Sequence, residues 1–402
     1  MSSKKKLSKL GDIGRVLMCK RVLKHQTMQF GEIPFYKIST FGGKANSFIT
    51  KELYDEYRKK YPYPKLGDIF ISAAGTVGET VIYDGKPAYF QDSNIVWIDN
   101  NETKILNSYL YYFYQTKPWL TTNGSTIKRI YNENLRSIEI TYPESLQEQQ
   151  KIAAVLSALD AKIELNRRIN TELEAMAKTL YDYWFVQFDF PNAAGNPYKT
   201  SGDRMVWNET LKREIPLGWD VGELRDIANI TMGQSPPGES YNQDAKGMMF
   251  FQGCTDFGNR FPSVRQFTTQ PTRFAKAGDI LLSVRAPVGT VNIAKEDCCI
   301  GRGLAALNSK TDGITYLFET VKNLKQVFDR RNVDGTTFGS ITKDDLFSLT
   351  VLKPENAIVD QYQKMIFPTF EKQNKLELET QTLTELRDWL LPMLMNGQVK
   401  VH

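Results

Sequence analysis

The chain carries much of itself twice, in a register of 211 residues. LGDIFIS at 66–72 reads against AGDILLS at 277–283, and Val77-Gly78 against Val288-Gly289. GSTIKRIYNENLRSIEITYP at 124–143 reads against GTTFGSITKDDLFSLTVLKP at 335–354. Two earlier matches lie close to that register. Phe35-Tyr36 through Phe41-Gly42 pairs with Phe251-Gln252 through Phe257-Gly258 at 216, and Leu10-Gly11-Asp12-Ile13 with Leu224-Arg225-Asp226-Ile227 at 214. Five matches in one order do not arise by chance, and a repeat of this kind dictates a duplicated architecture.

The same offset carries one long helical stretch onto another. Residues 144–186 contain no glycine and no proline, so nothing in them breaks a helix. At about 1.5 Å per residue they make a rod of roughly 60 Å. Steps of four and three select Ile152, Leu156, Leu159, Ile163, Asn166, Asn170, Leu173, Ala177, Leu180 and Trp184, a seam for one partner helix with two asparagines in it. The partner is 355–396, which follows Pro354 as the first follows Pro143. Tyr362, Ile366, Leu376, Leu383, Leu390 and Leu394 share a face, with Gln373, Thr380 and Arg387 as polar interruptions. Pro368 predicts a kink and Pro392 a fraying end. An ordinary core-facing helix would explain either stripe alone. The matched pair instead predicts an antiparallel coiled coil, with Asn166 and Asn170 setting its register if buried.

The plan is globule, helix, globule, helix: 1–143, 144–188, a Gly/Pro-rich linker at 189–214, 215–354, and 355–398. The expected fold is α+β, with two similar α/β globules separated by two long helices and related by an internal pseudo-two-fold repeat. β-like runs fall at 69–72, 95–98, 138–142, 280–284 and 349–352, with a helical segment at 104–117.

Charge is uneven. Residues 1–143 hold 21 Lys and Arg against 13 Asp and Glu, although the whole chain is only +5, and this suggests a polyanionic partner for the first globule. No run of eighteen apolar residues exists, and the Lys-rich start lacks the apolar core of a signal peptide. The four cysteines have no CxxC spacing and only two histidines to join them, so free thiols in a cytoplasmic protein are expected and no metal site.

Catalytic signatures are sparse: there is no Walker A, GxGxxG after a strand, GxSxG or HExxH. Asn196-Pro197-Tyr198 is similar to an adenine-methyltransferase tetrad but lies in the Gly/Pro linker, where a turn explains it. Asp68 and Glu79 have the spacing of a nuclease metal pair, yet Val81 stands where a lysine is needed and Thr290 stands opposite Glu79. The Gly-Asp pairs therefore read as turns entering strands, and no catalytic residue is expected. Loop chemistry suited to nucleic acid remains. Ser72 and Thr76 in one copy, Ser283 and Arg285 in the other, lie on small-residue loops leaving a strand. Lys128, Arg129 and Tyr131 match the stretch holding Thr336, Thr337 and Ser340. Lys37 and Ser39 match the region of Gln252 and Thr255, and Arg302 adds a cation. Phosphate contacts position a protein, whereas Arg, Lys, Gln and Asn on base edges specify sequence. For any one of these residues a solvated loop is the plain alternative.

This arrangement resembles the specificity subunit of type I restriction–modification systems over nearly the whole chain. The resemblance rests on the duplicated plan, the GDI…S…VG segments, SLQEQQKIAAVLSALDAKIELN opening the first helix, IPLGW at 215–219, and LLPMLMNGQVKV at the end. The first globule lacks an IPxGW counterpart, and Val359-Asp360-Gln361-Tyr362 is a weak copy of QEQQ. The resemblance implies that each globule is a target-recognition domain for one half of an interrupted double-stranded DNA site, and that the helices are spacers. It implies a non-catalytic chain that recruits two modification (methyltransferase) subunits and restriction (translocase/nuclease) subunits. S-adenosylmethionine, ATP and Mg would be bound by those partners, none by this chain. A coiled-coil adaptor joining proteins without touching DNA is the alternative.

Overall fold

The computed structural model describes residues 4–119, 129–325, 327–329 and 339–401. The chain divides into two compact units, one of Met1–Ile163 with Thr382–His402 and one of Glu164–Gln381.

The first unit runs β1 (Lys5–Lys9), β2 (Gly14–Leu17), β3 (Ile33–Tyr36), β4 (Phe48–Ile49), α1 (Lys51–Lys60), β5 (Ile69–Ser72), β6 (Thr80–Ile82), β7 (Tyr89–Phe90), β8 (Ile95–Asn100), α2 (Asn107–Gln115), α3 (Asn132–Ser137) and β9 (Glu139–Pro143) before α4 (Leu146–Tyr181). Its main sheet has the order β2-β8-β5-β6, all antiparallel. Alternation sends the two faces of this sheet to different cores. Ile69, Ile71, Val96 and Ile98 join Tyr109, Leu110, Ile152 and Leu156, while Phe70, Ile95 and Trp97 join Phe35, Tyr89 and Phe90. β3 pairs with β7 in parallel, and β1 pairs with β9.

The second unit repeats this topology. After α4 come β10 (Met205–Asn208), β11 (Arg213–Pro216), β12 (Asp220–Glu223), α5 (Leu224–Ile227), β13 (Ala228–Met232), β14 (Tyr241–Asn242), β15 (Met248–Phe251), β16 (Phe267–Thr268), β17 (Phe274–Ala275), β18 (Ile280–Ser283), β19 (Val291–Ile293), β20 (Cys298–Ile300), β21 (Leu304–Ser309), α6 (Ile314–Asn323), α7 (Lys343–Phe347), β22 (Thr350–Lys353) and α8 (Asn356–Met395). The order β13-β21-β18-β19 matches β2-β8-β5-β6, β12 with β22 matches β1 with β9, and the parallel pair β15 with β20 matches β3 with β7. The Gly-Asp pairs are turns in both copies: Asp68 accepts from the Lys65 N–H at 2.7 Å and Asp279 from that of Lys276 at 2.8 Å. Burial raises the pKa of Asp68.

The long helices pair inside each unit. In the first, Ile152, Ala153 and Leu156 of α4 pack with Leu394 and Met395 of α8, and Asp160 meets Arg387. In the second, Asn166 Nδ2 donates to Glu379 at 2.8 Å, and the Tyr362 hydroxyl donates to the Ala177 carbonyl at 3.4 Å. Numbers rise along α4 as they fall along α8, so the pairing is antiparallel. Ile163 and Asn166 are buried, and Leu159, Asn170, Leu173 and Leu180 are half-buried. On α8, Tyr362, Ile366 and Leu376 are buried while Leu383 and Leu390 are half-buried. The helix α8 runs unbroken through Pro368 and Pro392. Each proline costs the helix one N–H donor.

The stretch read as a linker is ordered. α4 ends in a π-type turn at Asp182–Val186. Phe190 then stacks on Tyr198 at 4.7 Å and Trp219 at 4.9 Å, Asp189 accepts from Thr200, and β10 and β11 form a hairpin. Gly and Pro here shape turns around an aromatic cluster. Asn196-Pro197-Tyr198 is one of them, with the Tyr198 N–H donating to the Phe190 carbonyl.

Candidate nucleic-acid interface

In the first unit the loops leaving β3, β5 and β7 converge. The Ile38 N–H donates to Gln91 Oε1 at 2.8 Å, and a Cβ on Gly75 would lie 3.1 Å from Ile38. Ala74 forms a β-bridge with Arg129. The Arg129 guanidinium donates to the Ser93 carbonyl at 3.2 Å and lies 5.9 Å from the Tyr131 ring centroid. Tyr131 is 64% exposed. Ser39 and Thr76 are exposed and Lys37 half-buried beside them.

The second unit builds the same cluster from different side chains. Arg285 bridges Ser340 as Ala74 bridges Arg129, each pair 211 residues on. Gln252 exchanges hydrogen bonds with the Ser235 hydroxyl at 2.9 and 3.0 Å. The Arg302 N–H reaches the same hydroxyl at 3.4 Å. Glycines 301 and 303 pack so closely on Gln252 that neither position admits a Cβ without displacement. Gln252, Thr255, Arg285, Arg302 and Ser340 are all exposed.

Two expected contacts are corrected. Ser72 and Ser283 are fully buried, and each hydroxyl closes the loop that follows it. Ser283 Oγ donates to the Pro287 carbonyl at 2.6 Å and accepts from the Thr290 N–H at 2.9 Å; Ser72 does the same with Thr76 and Glu79. With their hydrogen bonds spent inside, they shape the loop and offer nothing to a ligand. Lys128, Thr336 and Thr337 lie outside the described residues. Sequence reading passed over Gln91, Ser93 and Ser235, which orient the named residues. Their only signal was a polar residue just beyond a strand.

Among the described residues no group of three His, Cys, Asp or Glu is placed to hold a metal ion. The cysteines are free thiols, and burial pushes Cys19 and Cys298 up to about 12. No described helix is long and apolar enough to cross a membrane.

These features define a duplicated α+β protein with two like loop clusters and long paired helices. The chain belongs to the type I restriction modification DNA specificity domain family, whose model matches residues 2–175 and 216–388. It is 30% identical over 378 residues to a Methanocaldococcus jannaschii protein provisionally named the type I restriction enzyme MjaX specificity subunit, covering 88% of this chain and 84% of that one. It is 56% identical over 155 residues to a Haemophilus influenzae protein provisionally named the type I restriction enzyme specificity subunit S.HindORF215P, covering 39% of this chain and 40% of that one. The crystal structure of the S subunit of a type I restriction-modification system from M. genitalium shares the fold, with a TM-score of 0.64 at 18% identity over 98% of this chain and 96% of that one.

Proposed function

We propose that this chain is the DNA-reading subunit of a type I restriction–modification complex, recognising a bipartite, interrupted site with one globule per half-site. The observation that carries this reading is the repeated bridge, Ala74 with Arg129 and Arg285 with Ser340. One scaffold is used twice, and its exposed side chains differ, as two different half-sites require. The specificity-subunit names of the relatives support the same reading. The paired helices α4 and α8 act as the spacer, their length setting the gap between half-sites, as dimer geometry does in simpler readers. Partner modification subunits bring S-adenosylmethionine and methylate adenine. Restriction subunits bring ATP and Mg. This chain contributes recognition and no chemistry.

Expressing the chain with its modification subunit and mapping methylated adenines tests the proposal. The expected outcome is one motif of two defined halves around a fixed unspecified gap. Adding or removing helical turns in 156–177, compensated in 370–388, changes that gap. An undivided motif, or methylation and cleavage by this chain alone, overturns the proposal. A duplex-binding response that is flat to salt favours the protein adaptor.

A further inference from the structure

Arg260 is a buried cation in a surface loop of the second unit, only 9% exposed. The loop is built to present it. Phe257 bridges Pro262, and Gly258 and Asn292 exchange hydrogen bonds, Asn292 being buried. The Arg260 carbonyl accepts from the Ile293 N–H at 2.8 Å, which ties the loop to β19. The guanidinium leaves the globule and docks on α8. It lies 4.2 Å from the Phe370 centroid, donates Nε to Asn374 Oδ1, and donates Nη2 to the Phe370 carbonyl at 3.4 Å.

A guanidinium is costly to bury unless it finds acceptors and a planar partner, and here Nε and Nη2 find acceptors while the group lies over the Phe370 ring. Desolvation lowers its pKa to about 10, which leaves it charged at neutral pH. The loop is continuous with the reading loop, since Thr255 stands five residues before Arg260. In the first globule the position at the offset of 216 is Lys44, which is exposed.

We propose that Arg260 is a positioning residue, holding the second globule's reading loop at one angle on the spacer helix and so restricting the recognised site to one gap length. This rests on the bipartite-site reading above. The cation is placed where a small rotation of the globule would be resisted by a directional fork and a stacked ring together. Aliphatic packing alone would permit sliding between neighbouring rotamers.

The test uses the full chain co-expressed with its modification subunit, with methylated adenines mapped in the host genome. Arg260→Met keeps the bulk of the stem over the Phe370 ring and removes the fork. The expected result is that both half-site sequences persist while sites with the gap changed by one base pair gain at least tenfold in methylation. A merely stabilising role would lower methylation at every site and leave the gap single, and that result overturns the proposal. Should Arg260→Met yield no methylation, Asn374→Ala, which removes the Nε acceptor but leaves the stacked ring, decides by the same count. A parent chain that yields no bipartite motif sinks the proposed function instead.

Discussion

Arg387 of α8 places Nη1 2.9 Å from Asp160 Oδ1 of α4, and the other Asp160 oxygen accepts the Tyr112 hydroxyl at 2.8 Å. One carboxylate thus joins the globule helix α2 to both long helices within the first unit. Arg387, which the heptad pattern marks only as an interruption, is a partner in a three-way contact. Its side chain is 29% exposed and that of Asp160 32% exposed, so screening limits the gain to about 1 kcal/mol.

Asp160→Asn should therefore cost about 0.5–1 kcal/mol, since an amide oxygen still accepts from Tyr112 while the charge attraction is lost. Asp160→Asn and Arg387→Ala should be non-additive in urea unfolding, the second change adding little once the first is made. Fully additive costs would show that the pair does not interact.

Gly78 and Gly289 occupy matched positions with φ of +86° and +87°. A Cβ on Gly78 would overlap the Trp119 indole, and one on Gly289 would clash with the edge of the Phe328 ring. Each alanine variant combines left-handed strain with a ring clash, and the expected destabilisation is about 2 kcal/mol or more. Chemical denaturation of each single variant checks this. A neutral Gly78→Ala would mean that the indole moves aside at no cost.

Periodicity made the helix seam legible, because a 3.5-residue pattern across 152–173 survives any detail of packing. The all-apolar core of Ile69–Ser72 likewise reads as a buried strand. Direction did not survive. Ser72 and Ser283 read as ligands because residue type cannot say whether a hydroxyl points into its own turn. The order within the 189–214 stretch was hidden because Phe190 needs Tyr198 and Trp219 to form a cluster. Arg260 was invisible because its partners, Phe370 and Asn374, lie more than a hundred residues away.

Glu319 on α6 is buried, and desolvation raises its pKa above the ordinary 4.5. Below that value the carboxyl is neutral in both states. Above it the unfolded chain ionises first, so the folded state loses stability as pH rises from 4.5 through the raised value. Glu319→Gln stays neutral throughout. Lys322, 3.8 Å from Glu319, keeps Glu174 in the variant. Thermal unfolding should find the variant more stable than its parent at pH 7, the advantage vanishing towards pH 4.5. A variant less stable at pH 7 would mean that Lys322 and Arg260 outweigh desolvation.

Arg129 and Arg285 come from opposite sides of the same repeated bridge, and under the proposed function their surroundings suit them to different work. Arg129 is oriented by the Ser93 carbonyl and the Tyr131 ring, the preorganisation that base-edge contact needs. Arg285 is exposed, with no side-chain partner among the described residues, and suits a phosphate. In a complex with modification subunits, Arg129→Ala should relax one position of the recognised sequence at a cost of about 1–3 kcal/mol in discrimination. Arg285→Ala should weaken binding to all sequences alike and reduce the log–log salt slope by about one. Binding of matched and single-mismatch duplexes at several salt concentrations separates the two. If Arg285→Ala instead alters the motif and leaves the slope intact, the roles are reversed. Orientation by neighbouring groups would then be no guide to which arginine reads a base.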